Sequence, residues 1–171
     1  FIPLCTKDTA TPDAPTTTQQ ADKPYNILVV EDDIITQQAI KNTLSSLGHR
    51  ITLAGTGNDA LAAFKEKTFD CIFLDLGLPD IDGSIVAENI INSNEYRRQN
   101  VPIFALTAHA KSFPDDRYRS IGIHKLLSKP LSRSQAESVL QDIFDQEKTQ
   151  LWTAHTSISE MKVIDLELGA Q

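Results

Sequence analysis

Five short apolar runs, spaced by segments with helical periodicity, constrain this chain more than any other feature. Asn26–Val30, Arg50–Ala54, Asp70–Leu74, Val101–Leu106 and Lys125–Leu127 read as buried strands. Helices are predicted over Ile34–Leu47, Asn58–Lys67, Gly83–Asn92, Lys111–Ile121 and Arg133–Gln146. Ile40, Leu44 and Leu47 share one face of the first, and Gly48 is placed to stop it in a left-handed conformation. Asn58 reads as the cap of the second helix, with Leu61 and Phe64 turned inward. Pro114 falls in the first turn of the fourth, and Leu140, Ile143 and Phe144 mark the core face of the last. Strands alternating with helices predict a parallel sheet between two helical layers, a three-layer α/β sandwich.

Ligands of open α/β sheets bind beyond the carboxyl ends of the strands. The residues at those ends here are chemically distinctive. The first run ends in Glu31-Asp32-Asp33, the third in Asp75, the fourth in Thr107 and the last in Lys129-Pro130. Two carboxylates about 4 Å apart repel by about 4 kcal/mol at an effective dielectric near 20, so Glu31, Asp32 and Asp75 together call for a cation. An all-oxygen site of this kind suits Mg2+. Taken alone, Glu31-Asp32-Asp33 reads equally well as the acidic start of a helix. The simultaneous placement of Asp75 and Lys129 at strand ends favours the pocket. Asp75 is then the candidate phosphate acceptor, Lys129 the cation for a phosphoryl oxygen, and the Thr107 hydroxyl a further partner. His109 stands near the pocket mouth, placed to tune water access; His49, His124 and His155 share no spacing with it.

Composition excludes other classes. A net charge of −7 and a pI near 5.0, without a basic cluster, argue against nucleic acid. No apolar stretch is long enough for a transmembrane helix, and no signal peptide is visible, so a cytoplasmic fragment without direct membrane contact is expected, whose parent protein can still be anchored. The two cysteines, Cys5 and Cys71, offer neither a disulfide framework nor metal-binding spacing. No P-loop, GxSxG or HExxH motif supports a hydrolase.

The acidic pair Glu31 and Asp32, Asp75 with Pro79 and Gly83 after it, Thr107-Ala108 and Lys129-Pro130 resemble the motif set of the receiver domain of two-component signalling. The resemblance covers Ile27–Pro130. It implies a doubly wound, five-stranded flavodoxin-like sheet of order 2-1-3-4-5 with five helices. It also implies Mg2+ held by Glu31, Asp32, Asp75 and the backbone carbonyl of Gly77, and a cis Lys129–Pro130 bond. One residue departs from the pattern: Leu126 stands where many receivers carry a switching Tyr or Phe.

The flanks divide the chain into 1–4, 5–24, 25–148, 149–161 and 162–171. Phe1-Ile2-Pro3-Leu4 resembles the closing strand of a histidine-kinase ATP-binding domain, and Val163–Gly169 the opening of a histidine-phosphotransfer domain. The Thr- and Pro-rich stretch from Thr6 to Lys23 and the stretch 149–161 read as linkers around the receiver domain. The resemblance thus implies a slice of a tripartite hybrid sensor kinase. Its partners would be the kinase core as phosphohistidine donor and a downstream phosphotransfer histidine. The parent would be a kinase, and this part would catalyse only phosphorylation and dephosphorylation at Asp75. Two rival readings are a non-phosphorylated interaction module of the same fold and a free-standing response regulator.

Overall fold

A computed structural model describes residues 23–109 and 115–146. In chain order the elements are β1 (Asn26–Val30), α1 (Ile34–Ser46), β2 (Arg50–Ala54), α2 (Gly57–Glu66), β3 (Cys71–Asp75), α3 (Gly83–Ile91), α4 (Asn94–Gln99), β4 (Ile103–Thr107), α5 (Asp115–Ser120) and β5 (Lys125–Ser128). A last helix, α6, covers residues 133–146. All strand pairs are parallel and the sheet order is β2-β1-β3-β4-β5. This is the doubly wound α/β fold expected.

The period-two alternation of the strands sorts their side chains onto two faces. Ile27, Val29, Cys71, Phe73, Phe104 and Leu106 pack on one side, with Ile40 and Leu44 of α1. Ala136, Val139, Leu140 and Ile143 of α6 join them at helical spacing, and Phe144 is half-buried. Leu28, Val30, Ile72, Leu74, Ile103 and Ala105 point the other way, onto Ala60 and Phe64 of α2 and Val86, Ala87 and Ile90 of α3. The three central strands are thus apolar on both faces, as a covered parallel sheet requires.

The element boundaries differ from expectation for identifiable reasons. β3 begins at Cys71; the preceding Asp70 bonds to Asn26 twice, its carboxylate accepting the Asn26 amide at 2.7 Å and its amide donating to the Asn26 carbonyl at 2.8 Å. It runs on to Asp75, opposite Leu106. β4 starts at Ile103, since Pro102 has no amide hydrogen to donate to the ladder; only its carbonyl is used, by Ile72 N at 3.0 Å. The cap of α2 is Thr56, not Asn58: its hydroxyl accepts the Asp59 amide at 3.1 Å. Leu47 caps α1 and is half-buried, while Gly48 takes φ +90° as expected. α4 was not anticipated, so the described helices are six rather than five. It is a polar turn capped by Ser93 and ended by Asn100 at φ 48°, with no buried residue to give an apolar period. Of the predicted helix Lys111–Ile121, Asp115–Ser120 is seen, and Lys111 and Pro114 lie outside the described residues. So do the predicted segments 1–4 and 162–171.

Candidate functional site

The strand ends converge on one cleft of about 660 Å³, lined by Asp75, Gly77, Thr107, His109 and Lys129 among others. Glu31 and Asp75 are almost fully buried, whereas Asp32 is exposed. One carboxylate oxygen from each of these three lies within 4.8 Å of the others. The third member of the acidic run has a different task. Asp33 caps α1, accepting the Thr36 amide at 2.7 Å, and that bond holds its carboxyl below the usual range. The helix-start reading of Glu31-Asp32-Asp33 therefore applies to Asp33, and the pocket reading to the other two.

Lys129 projects into the acidic group. Its Nζ lies 2.7 Å from Glu31 Oε2 and 2.8 Å from Asp75 Oδ2. Its backbone amide donates to the Thr107 carbonyl at 2.9 Å, which fixes the end of β5 against that of β4. The Lys129–Pro130 bond is cis. Burial works against the ammonium, but the two carboxylates outweigh it and raise the lysine pKa. For Glu31 the balance is reversed. Burial and the nearby charge of Asp75 outweigh the ammonium, and the carboxyl is pushed up. The buried Glu31 Oε2 completes no hydrogen bond of good geometry and is met by the Lys129 ammonium at 2.7 Å. A buried, under-satisfied carboxylate oxygen beside two more oxygens is a donor set that fits a hard divalent cation such as Mg2+.

Asp75 Oδ1 accepts the Gly77 amide at 3.0 Å, so the loop after β3 folds back over the carboxylate. Gly83 closes that loop, its amide donating to the Leu76 carbonyl at 3.1 Å. A Cβ on Gly83 would stand 2.7 Å from Leu76 Cα, so only glycine lets α3 start this close to the end of β3. Thr107 is buried and its hydroxyl accepts the His109 amide at 3.2 Å. Leu126 lies on β5 opposite Ala105 and is half-buried. The structure therefore gathers Glu31, Asp32, Asp75, Gly77, Thr107 and Lys129 at one end of the sheet.

Two residues of this neighbourhood escaped the sequence reading. Gln37 Nε2 donates to the Glu31 carbonyl at 3.0 Å and the Ala54 carbonyl at 3.4 Å, tying the ends of β1 and β2 together. Asp80 accepts from the first amides of α2. Both act through backbone partners brought close by the fold, and no local pattern signals them.

With this geometry in place, comparison with known proteins is decisive for the class. Residues 27–141 match the response regulator receiver domain family. The chain belongs to that family. It is 32% identical over 139 residues to the aerobic respiration control sensor protein ArcB of Escherichia coli, covering 79% of this chain and 18% of that one. It is 31% identical over 117 residues to the sensor histidine kinase AruS of Pseudomonas aeruginosa, covering 68% of this chain and 12% of that one. The chain thus spans less than a fifth of these relatives. Among solved structures, the receiver domain of a Pseudomonas aeruginosa sensor histidine kinase, with a magnesium ion coordinated in its active-site cleft, is 34% identical. It superposes with a TM-score of 0.63 over 70% of this chain and 97% of that one. The chemotaxis response regulator CheY4 of Vibrio cholerae, 25% identical, also gives 0.63, over 71% of this chain and 99% of that one. No helix among the described residues is long and apolar enough to cross a membrane.

Proposed function

We propose that this domain accepts a phosphoryl group from a phosphohistidine onto Asp75 and relays it to a second histidine. The observation that carries the reading is the meeting of a buried carboxylate, two further acidic side chains and an ammonium within one cleft. Asp75 is the nucleophile: one carboxylate oxygen attacks phosphorus, the histidine N–P bond breaks, and an acyl phosphate forms. When bound by Glu31, Asp32, Asp75 and the Gly77 carbonyl, Mg2+ supplies Lewis-acid stabilisation of charge on the transferring group. Lys129, already 2.8 Å from the acceptor, offsets the charge of a phosphoryl oxygen. The Thr107 hydroxyl, at the end of the adjacent strand, donates to another. The likeness to ArcB and AruS supports a place within a hybrid sensor kinase, working in the cytoplasm. The donor would be that kinase's phosphohistidine and the recipient a histidine-phosphotransfer domain, whose beginning we assign to residues 162–171.

The test is incubation with acetyl phosphate and Mg2+, followed by intact mass and trapping of the acyl phosphate. Wild type should gain one labile phosphoryl group, and Asp75→Asn none, with a melting temperature within about 3 °C of wild type. The small shift reflects a balance: the charge that repels Glu31 also holds Lys129. Undiminished labelling of Asp75→Asn would show that another residue is the acceptor. Failure of wild type to label would favour the interaction-module reading.

A further inference from the structure

The loop between β3 and α3 carries Gly77, yet it is anchored on the opposite side by a residue outside the acidic cleft. Asp80 Oδ1 accepts the Gly57 amide at 2.9 Å, and Oδ2 accepts the Asn58 amide at 3.1 Å and Asn58 Nδ2 at 3.2 Å. Three donors, two of them the first amides of α2, converge on one carboxylate 22 to 23 residues away in sequence. Free amides and the positive end of the helix dipole favour a carboxylate there. Gly57 makes the approach possible, since a Cβ on it would stand 2.7 Å from Val86 Cγ2 and 3.3 Å from Ile81 Cβ. The Gly57 amide hydrogen bond also leads the lowering of the Asp80 pKa, so the clasp is charged at neutral pH.

We propose that Asp80 is a positioning residue for the phosphoryl-acceptor site, fixing the Gly77 backbone through the loop it pins to α2. The inference rests on the proposed function, in which Gly77 supplies a metal ligand. The base of the loop is closed by the Gly83–Leu76 hydrogen bond, and Leu78 is buried in the core. Of the stretch Pro79–Asp82, Asp82 caps α3 and Ile81 packs partly against the core, and the clasp at Asp80 ties the stretch to α2. Releasing that clasp loosens the stretch between Leu78 and Asp82 and, through Leu78, the restraint on the Gly77 backbone, which the Asp75 carboxylate holds from the other side. The Gly77 carbonyl then no longer waits in place for the cation. Groups that orient metal ligands typically contribute about 10- to 100-fold to affinity when removed.

The control is built into the same helix end. Thr56 caps α2 from within its own turn, through Asp59 N at 3.1 Å, and touches nothing in the loop through that bond. Asp80→Ala and Thr56→Ala, in the full chain, both remove acceptors from one helix terminus. Mg2+ titration by calorimetry should give a dissociation constant about tenfold higher for Asp80→Ala. Thr56→Ala should stay within about twofold of wild type, because a cap contributes to helix stability and not to the loop. In the absence of Mg2+, the Gly77 amide resonance should move in Asp80→Ala and hold still in Thr56→Ala. Asp80→Asn keeps one carbonyl oxygen and should restore part of both signals. Equal effects of Asp80→Ala and Thr56→Ala, or none from either, would overturn the assignment. A wild type that takes up no Mg2+ would sink the proposed function instead, while the Gly77 resonance would still decide whether Asp80 sets the loop.

Discussion

The Lys129 ammonium sits 2.8 Å from Asp75 Oδ2, so the oxygen proposed to accept a phosphoryl group already has a cationic partner. The same ammonium is 2.7 Å from Glu31 Oε2. A metal held as proposed would therefore draw on the same oxygens as the lysine. Lys129→Ala should destabilise the domain without Mg2+ by about 2–3 kcal/mol, below the range for a fully buried pair because the lysine is partly solvated. Mg2+ should then bind more tightly and raise the melting temperature by more than in wild type, while phosphoryl acceptance slows. Thermal shifts across a Mg2+ series, measured for both proteins, check this. An equal shift in the two would mean that the ammonium and the cation do not compete.

Gly83 offers a test of how closely the sheet and the loop must approach. Alanine there would bring a Cβ to 2.7 Å from Leu76 Cα and 3.0 Å from the Asp75 carbonyl carbon. Backbone cannot yield as a flexible side chain can. Gly83→Ala should cost about 1–3 kcal/mol in urea unfolding and slow labelling of Asp75, whose backbone must shift. Unchanged stability would show that α3 can slide away without disturbing β3.

The placement of the site was legible in the sequence because it depends on strand ends, and strand ends are marked by where apolar runs stop. Asp75, Thr107 and Lys129 each follow such a run, and the fold only had to be parallel for them to meet. The long amphipathic helices were legible for the same reason: α6 buries Ala136, Val139, Leu140 and Ile143 at a period the sequence displays. Less legible was whatever rests on one polar side chain meeting backbone far along the chain. The Asp80 bonds to α2 and the Gln37 bridge between strands are of this kind. α4 lies between these cases: Ser93 as cap, Glu95 early and Arg97 and Arg98 late were readable, but no apolar stripe drew attention to them.

His49 predicts a pH dependence. It is buried and stacked on Tyr25 with ring centroids 5.3 Å apart, and its Nδ1 accepts the Tyr25 amide at 3.3 Å. Burial lowers its pKa, and the charge of Asp70 only partly offsets this. A depressed histidine pKa means that the unfolded chain takes up protons first. The stability is therefore complete above the unfolded value, about 6.5, and falls as pH drops below it toward the folded value. The melting temperature should decline from pH 7 to pH 5, and less steeply in His49→Phe, which keeps an aromatic ring against Tyr25, loses the Nδ1 acceptor at every pH and cannot titrate. Taking the difference between the two proteins cancels the contributions of Glu31 and His124, which lie elsewhere. Parallel curves would mean that His49 does not titrate in this window.

The response to phosphorylation should be read at the His109 amide. In the resting domain that amide donates to the Thr107 hydroxyl at 3.2 Å. An acyl phosphate on Asp75 would add strong acceptors in the cleft that Thr107 also lines, and its hydroxyl is a neutral group able to turn toward them. Turning swings the oxygen lone pairs away from His109, and its amide must find water or another acceptor. Leu126, by contrast, has no hydroxyl to exchange and no ring to rotate, and it is held in the β5 ladder opposite Ala105. Upon addition of beryllofluoride and Mg2+, the nitrogen and proton shifts of His109 should change by more than those of Leu126. Thr107→Ala removes the hydroxyl acceptor, so the same change should shrink by at least about half while Asp75 still labels. Large movements at Leu126 with His109 silent would place the switch on β5 and overturn this account of the loop.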